Sequence, residues 1–162
     1  MAIEIKPKDK PQTHGGNWVA VQVLLILAYI LAPTPIHRTF SLPEVVRGLG
    51  LLALGGGALF SLGGLQGLGW TKTRIFPRPS PDAQLMTHGA YEFCRHPIYF
   101  GLLLMASGYA AYRQLPYHFA LSAVLAVFFN FKSLREEKWL IEKFPDYAAY
   151  QTRVKRLIPG LF

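Results

Sequence analysis

Four apolar stretches in a chain of 162 residues limit what it can become. They run Trp18–Ala32, Val45–Gly67, Pro97–Tyr112 and Tyr117–Phe131. A helix rises about 1.5 Å per residue, so about 20 residues cross the hydrocarbon core of a bilayer. The second stretch is long enough alone. The other three reach that length by taking in flanking Thr, Tyr, Gln or His. Charged residues make up only 16% of the chain, too little polar surface to cover four such helices in water. The expected fold is all-α: a polytopic transmembrane helical bundle of about four crossings, one domain over residues 18–162. Residues 1–17, polar and holding two prolines and two glycines, are expected to be a disordered cytoplasmic tail.

The charges suggest an orientation. Fourteen of the 17 lysines and arginines lie before Trp18, between Gly69 and His96, or after Phe131. With four crossings those three segments share one side, and the positive-inside rule makes it the cytoplasm. A multi-pass protein with both termini cytoplasmic follows. The net charge of +8 is split among membrane-flanking segments instead of forming one stripe. It fits contact with the lipid bilayer and argues against a nucleic-acid partner. The N-terminus does not read as a signal peptide, because its apolar run starts late and lacks a small-residue cleavage site. Cys94 is the only cysteine, so no internal disulfide and no cysteine-based zinc site is expected.

Proline and glycine punctuate the chain. Pro33 and Pro35 end the first helix, and Pro97 opens the third, where its missing N–H costs nothing. The second stretch holds eight glycines between Gly48 and Gly67, which let membrane helices approach closely. Gly48-x-Gly50-x-x-Ala53 is no dinucleotide fingerprint, since no strand precedes it. Residues 71–82 form a proline-rich loop. Only four residues separate Tyr112 from Tyr117, so the third and fourth helices make a tight antiparallel hairpin. After Phe131, either a new helix starts at the capping box Ser133-Leu134-Arg135-Glu136 or the fourth helix runs on. Tyr147, Tyr150, Val154 and Leu157 make an apolar stripe beside Arg153, Lys155 and Arg156, read as a cytoplasmic amphipathic helix on the membrane.

The chemistry gathers at the edge of the third helix. Arg95 and His96 precede Pro97, and the free N–H groups of Ile98 and Tyr99 with Arg95 offer an anion site. Two antiparallel crossings return the chain to the same face, where Glu136 and Glu137 add negative charge. One cleft would then hold a carboxylate site, an ammonium site and the aromatic faces of Tyr91, Phe93 and Tyr99. S-adenosylmethionine has the matching groups. Each residue alone has a plain reading: a snorkelling Arg95, a capping Glu136, an N-terminal hydrogen-bonding His96. Charge at a membrane edge is costly if idle, and their joint occurrence favours function. His14, His37, His88 and His118 lack metal-ligand spacing and read as interfacial or loop residues, with no metal site expected.

Here the chain resembles the isoprenylcysteine carboxyl methyltransferase family and its relatives, the membrane phospholipid N-methyltransferases. The matching residues are Leu85, Met86, Gly89 and Tyr91, then Arg95-His96-Pro97-x-Tyr99-x-Gly101. After the hairpin come Glu136-Glu137, Phe144, Tyr147, Tyr150, Val154, Arg156 and Ile158-Pro159. Ala90, Glu92 and Pro145 depart from the family's pattern, and the chain is shorter, with fewer crossings, than the eukaryotic prenyl-protein enzymes, which weighs against a prenylated protein as substrate.

The resemblance implies an integral membrane enzyme, S-adenosyl-L-methionine-dependent, acting on a lipophilic small-molecule or prenylated acceptor, with a prenylcysteine-type carboxylate among the candidates. By matching positions, Leu85, Met86, Tyr91, His96, Pro97, Ile98, Tyr99, Glu136 and Glu137 would contact the cofactor. Arg95 and Lys132 would meet the substrate's acidic group, and Arg95, His96 and Glu136 would carry the catalytic work. A membrane NADPH-dependent reductase of related architecture and a non-catalytic membrane subunit are the competing readings.

Overall fold

The computed structural model describes residues 16–33, 41–68 and 84–162. The expected disorder of the N-terminal tail falls almost wholly outside the described residues, as do Pro35 and the proline-rich loop. Five α-helices occur among the described residues: α1 (Gly16–Leu31), α2 (Glu44–Leu68), α3 (Pro97–Arg113), α4 (Pro116–Lys143) and α5 (Tyr147–Arg153). A 3-10 turn, Gly89–Glu92, precedes α3. No strand occurs among these residues.

The helices follow the four apolar stretches, with two adjustments. α4 continues for 28 residues, well past Phe131. Ser133 caps nothing; its hydroxyl donates to the Asn130 carbonyl, 2.9 Å away and one turn back. Its neighbours Lys132 and Glu137 are buried against other helices, which keeps the segment helical. The other adjustment is length. α2 and α4 are long and apolar enough to cross a membrane, whereas α1 has 16 residues and α3 has 17. The outward faces of the long helices are lipophilic: Leu52 and Leu59 on α2 are each 72% exposed, and Val127 on α4 is 58% exposed.

α2 and α3 make the most extensive helix pair. The reason is three glycines seven residues apart, Gly50, Gly57 and Gly64, all buried on one face of α2. Two of them meet glycines of α3. A Cβ at Gly57 would sit 2.5 Å from the Gly101 carbonyl oxygen, and one at Gly50 would sit 2.7 Å from that of Gly108. Backbone is therefore in contact with backbone. Gly48, Gly55 and Gly56 have open space beside them, so only part of the glycine-rich run serves packing.

The α3–α4 hairpin turns on two residues. Gln114 takes a left-handed conformation (φ 57°) as the C-cap of α3, and Leu115 leads into Pro116. Gln114 is fully buried, its amide donating to the Leu42 carbonyl at 3.0 Å. His118, expected at an interface or in a loop, is instead 1% exposed. The rings of Tyr29 and Tyr109 cover it, with centroids 4.8 and 5.3 Å away.

The C-terminal segment also departs from expectation. Its one helix, α5, has seven residues, and the apolar stripe faces inward. Tyr147, Tyr150 and Leu157 are 1–3% exposed. Backbone pairing explains this. The N–H groups of Arg95 and His96 donate to the carbonyls of Lys155 (2.8 Å) and Arg156 (3.0 Å), clamping the segment across the entrance to α3.

Candidate active site

Three elements converge where α3 begins. Pro97 starts α3 at a position that needs no N–H, with His96 as N-cap. The late turns of α4 present Phe129, Lys132 and Glu136 at i, i+3 and i+7, hence on one face. The clamped C-terminal segment closes the third side.

Glu136 and Glu137 have different partners although they are adjacent. Glu136 accepts a hydrogen bond from the Tyr99 hydroxyl at 2.7 Å, lies 3.7 Å from His96 Nδ1 and 3.9 Å from Lys132 Nζ. Glu137 accepts both arms of the Arg95 guanidinium, at 2.7 and 3.1 Å, and the Gln151 amide at 3.0 Å. His96 Nε2 is 3.4 Å from Glu137, yet it is buried and makes no hydrogen bond of good geometry. Four charged side chains and one histidine thus share a nearly dry volume, with exposures of 6–12%.

Aromatic rings wall this cluster. His96 stacks on Tyr99 with centroids 5.4 Å apart and planes 4° from parallel. Tyr99 stacks in turn on Phe129 at 4.7 Å. Lys132 lies over the Tyr99 ring at 5.1 Å, a cation–π arrangement.

Of the residues expected at the site, Arg95, His96, Tyr99, Lys132, Glu136 and Glu137 come together. Tyr91, Pro97 and Ile98 lie beside them and face Gly64 of α2. The Tyr91 hydroxyl donates to the Gly64 carbonyl at 3.3 Å, and a Cβ at Gly64 would meet Ile98 at 2.7 Å. Leu85 and Met86 are half-buried on the approach to the 3-10 turn.

Arg95 differs most from expectation. Instead of facing the free N–H groups of α3 as part of an anion site, it spends its donors on Glu137 and on the carbonyls of Gln151 and Val154. A guanidinium so committed holds the C-terminal segment in place and has little left to offer a substrate's acid group.

Several contacts of the cluster were missed in the sequence. Gln22 of α1 hydrogen-bonds Lys132 Nζ. Asn130 accepts from Arg156 at 2.7 Å. The Tyr150 hydroxyl donates to the Tyr91 carbonyl at 2.5 Å. A signal existed for the first two, since each is a lone amide inside an apolar run, where a polar side chain needs a partner.

Burial shifts the protonation of groups around the entrance. The Cys94 thiol is fully buried and pushed up to about 12, with only a backbone hydrogen bond at His96 working the other way. Desolvation also raises Tyr91, Tyr147 and Tyr150 above the usual phenol range. Cys94 therefore stays a thiol and is no nucleophile.

The phospholipid methyltransferase family pattern matches residues 44–147, from the start of α2 to the start of α5. The chain belongs to the phospholipid methyltransferase family. The match covers the glycine-packed α2–α3 pair, the hairpin and every charged member of the cluster. The chain is also similar to the cobalt-zinc-cadmium resistance protein CzcN of Cupriavidus metallidurans, 29% identical over 150 residues. That alignment takes in 90% of this chain but 63% of the relative's length.

Proposed function

We propose that this phospholipid methyltransferase family member is a multi-pass membrane enzyme that takes methyl groups from S-adenosylmethionine and delivers them to a lipophilic acceptor. One observation carries the reading. A buried cluster of two acids, a histidine and a lysine, walled by stacked aromatic rings, sits where apolar helices end. Such a cluster is costly to desolvate, and family membership supplies a use for it.

The donor set fits the cofactor. Glu136 offers a carboxylate to an ammonium or to ribose hydroxyls, and His96 Nε2 is a buried polar atom still without a hydrogen bond. The outer face of His96, at the end of the His96–Tyr99–Phe129 stack, suits an adenine ring or a sulfonium. When bound, the cofactor supplies a methyl group already activated on sulfur. The chain's own residues then have three tasks. Glu136 and Tyr99 orient, the surrounding apolar helices exclude water, and Lys132 meets an anionic group of the acceptor. Arg95 acts as a positioning residue, holding Glu137 and the C-terminal segment against the site.

α1 and α3 complete a four-crossing bundle when flanking residues are counted, and the lysine and arginine asymmetry supports cytoplasmic termini. The exposed leucines of α2 then face lipid, from which an acceptor enters laterally. The acceptor class extends from lipid amines to prenylcysteine-type carboxylates.

Titration calorimetry on the purified protein with S-adenosylmethionine and, separately, NADPH tests the reading. Binding of the first alone, lost in Glu136→Gln with folding intact, is the expected result. Binding of NADPH alone, or of neither, rejects it.

A further inference from the structure

A cavity lies away from the charged cluster, among the four longest helices. It measures about 390 Å³, within the roughly 300–1,000 Å³ typical of small-molecule sites. Ile26, Leu54, Met105 and Leu125 give it one wall from each helix. Its length follows α4 from His118 to Phe129, about 16 Å of helix. Phe129 stands between it and the cluster, since that ring lines the cavity and also stacks on Tyr99. α1 contributes Ile26, Tyr29 and Ile30 to the lining and lies outside the family match at residues 44–147.

The far end of the cavity is polar. His118 lines it, is 1% exposed, and its Nδ1 has no hydrogen-bond partner. The neighbouring groups are already committed. The Tyr29 hydroxyl donates to the Ala106 carbonyl at 2.5 Å, and the Ser122 hydroxyl to the His118 carbonyl at 2.7 Å. The Tyr29 backbone also lies beside the imidazole. With its proton on Nε2, the neutral ring leaves Nδ1 as an acceptor. A buried acceptor without a donor is costly, and a hydroxyl-bearing ligand removes that cost.

We propose that this cavity binds a lipophilic alcohol, its hydrocarbon body held among the four helices and its hydroxyl donating to Nδ1 of His118. The lining matches the ligand at both ends: almost wholly apolar along its length, with the unpartnered Nδ1 of His118 at its polar end, beside Tyr29 and Tyr109. The site stands whether or not the protein transfers methyl groups.

The test uses the full chain in lipid nanodiscs, without cofactor. The probes are a photoactivatable diazirine analogue of 1-dodecanol and the same molecule as its methyl ether, which has no proton to donate. The alcohol is expected to label the cavity-lining segments of α1 and α4 at about two- to tenfold lower concentration than the ether, the value of one hydrogen bond. His118→Phe removes that difference while keeping an aromatic ring in place. Equal labelling by the two probes in the wild-type protein, or no labelling of the lining, overturns the proposal. The wild-type comparison decides it alone if the variant does not fold.

Discussion

Arg95 holds both carboxylate oxygens of Glu137, at 2.7 and 3.1 Å, across 42 residues of chain. The two side chains are 10% and 7% exposed. This fork ties the turn before α3 to the C-terminal end of α4. Through Val154 and Gln151 it ties both to the C-terminal segment. Removing one partner leaves the other charge buried and alone. Arg95→Ala or Glu137→Ala is expected to cost about 3–5 kcal/mol, and Arg95→Lys, which keeps charge but not the fork, rather less. Thermal unfolding in detergent checks this. A double-mutant cycle giving no coupling between the two residues contradicts it.

Glu136 is expected to behave differently from Glu137, its neighbour. Its contacts are one tyrosine hydroxyl, one lysine and one imidazole edge, so Glu136→Gln keeps the shape and most of the packing. Cofactor affinity should fall at least tenfold while the unfolding midpoint moves little. Tyr99→Phe removes a single hydrogen bond to Glu136 and should weaken binding by about 1–3 kcal/mol. Equilibrium binding beside unfolding curves separates the two effects.

The glycine spacing in α2 makes a sharper test of the fold. Gly57→Ala forces a Cβ against the Gly101 backbone, which cannot give way as a side chain can. Gly56→Ala meets open space. The first should destabilise by about 1–3 kcal/mol and loosen the α2–α3 contact. The second should be neutral or slightly stabilising, through the better helix propensity of alanine. Equal effects of the two substitutions would mean that the helices do not pack along this face.

Cys94 gives a readout of the entrance to α3. Its thiol is pushed from an ordinary 9.0 up to about 12 by burial. The folded state therefore holds that proton more tightly than the unfolded chain. The stability this contributes is full below about 9 and is lost as pH rises toward about 12. The raised Tyr91, Tyr147 and Tyr150 add in the same direction. Maleimide should not modify Cys94 at pH 8 until the protein unfolds, and alkaline unfolding should begin above pH 9. Rapid modification of the folded protein would contradict this burial.

The bundle was legible in the sequence because hydrophobic runs, prolines and short connections are local signals. The four apolar stretches, the N1 role of Pro97 and the hairpin after Arg113 all read directly. The meeting of Arg95 and His96 with Glu136 and Glu137 was legible through topology, since two antiparallel helices return the chain to the face it left. Partner choice was not. Nothing local distinguishes an arginine aimed at a helix N-terminus from one aimed at Glu137, Gln151 and Val154. The inward turn of Tyr147, Tyr150 and Leu157 was hidden for the same kind of reason. An apolar stripe states that a face is covered but not by what, and the covering depends on backbone pairing with Arg95 and His96. Gln22 shows the opposite case, a lone amide whose burial was signalled though its partner Lys132 lay 110 residues away.

The most direct test of the central claim is methyl transfer itself. Membranes containing the wild-type protein or Glu136→Gln are incubated with methyl-labelled S-adenosylmethionine, and the lipid-soluble products are extracted and identified. Label in a lipophilic product with the wild-type protein, falling at least a hundredfold in the folded variant, is the predicted result. No label above control membranes, or equal label from both proteins, contradicts the account.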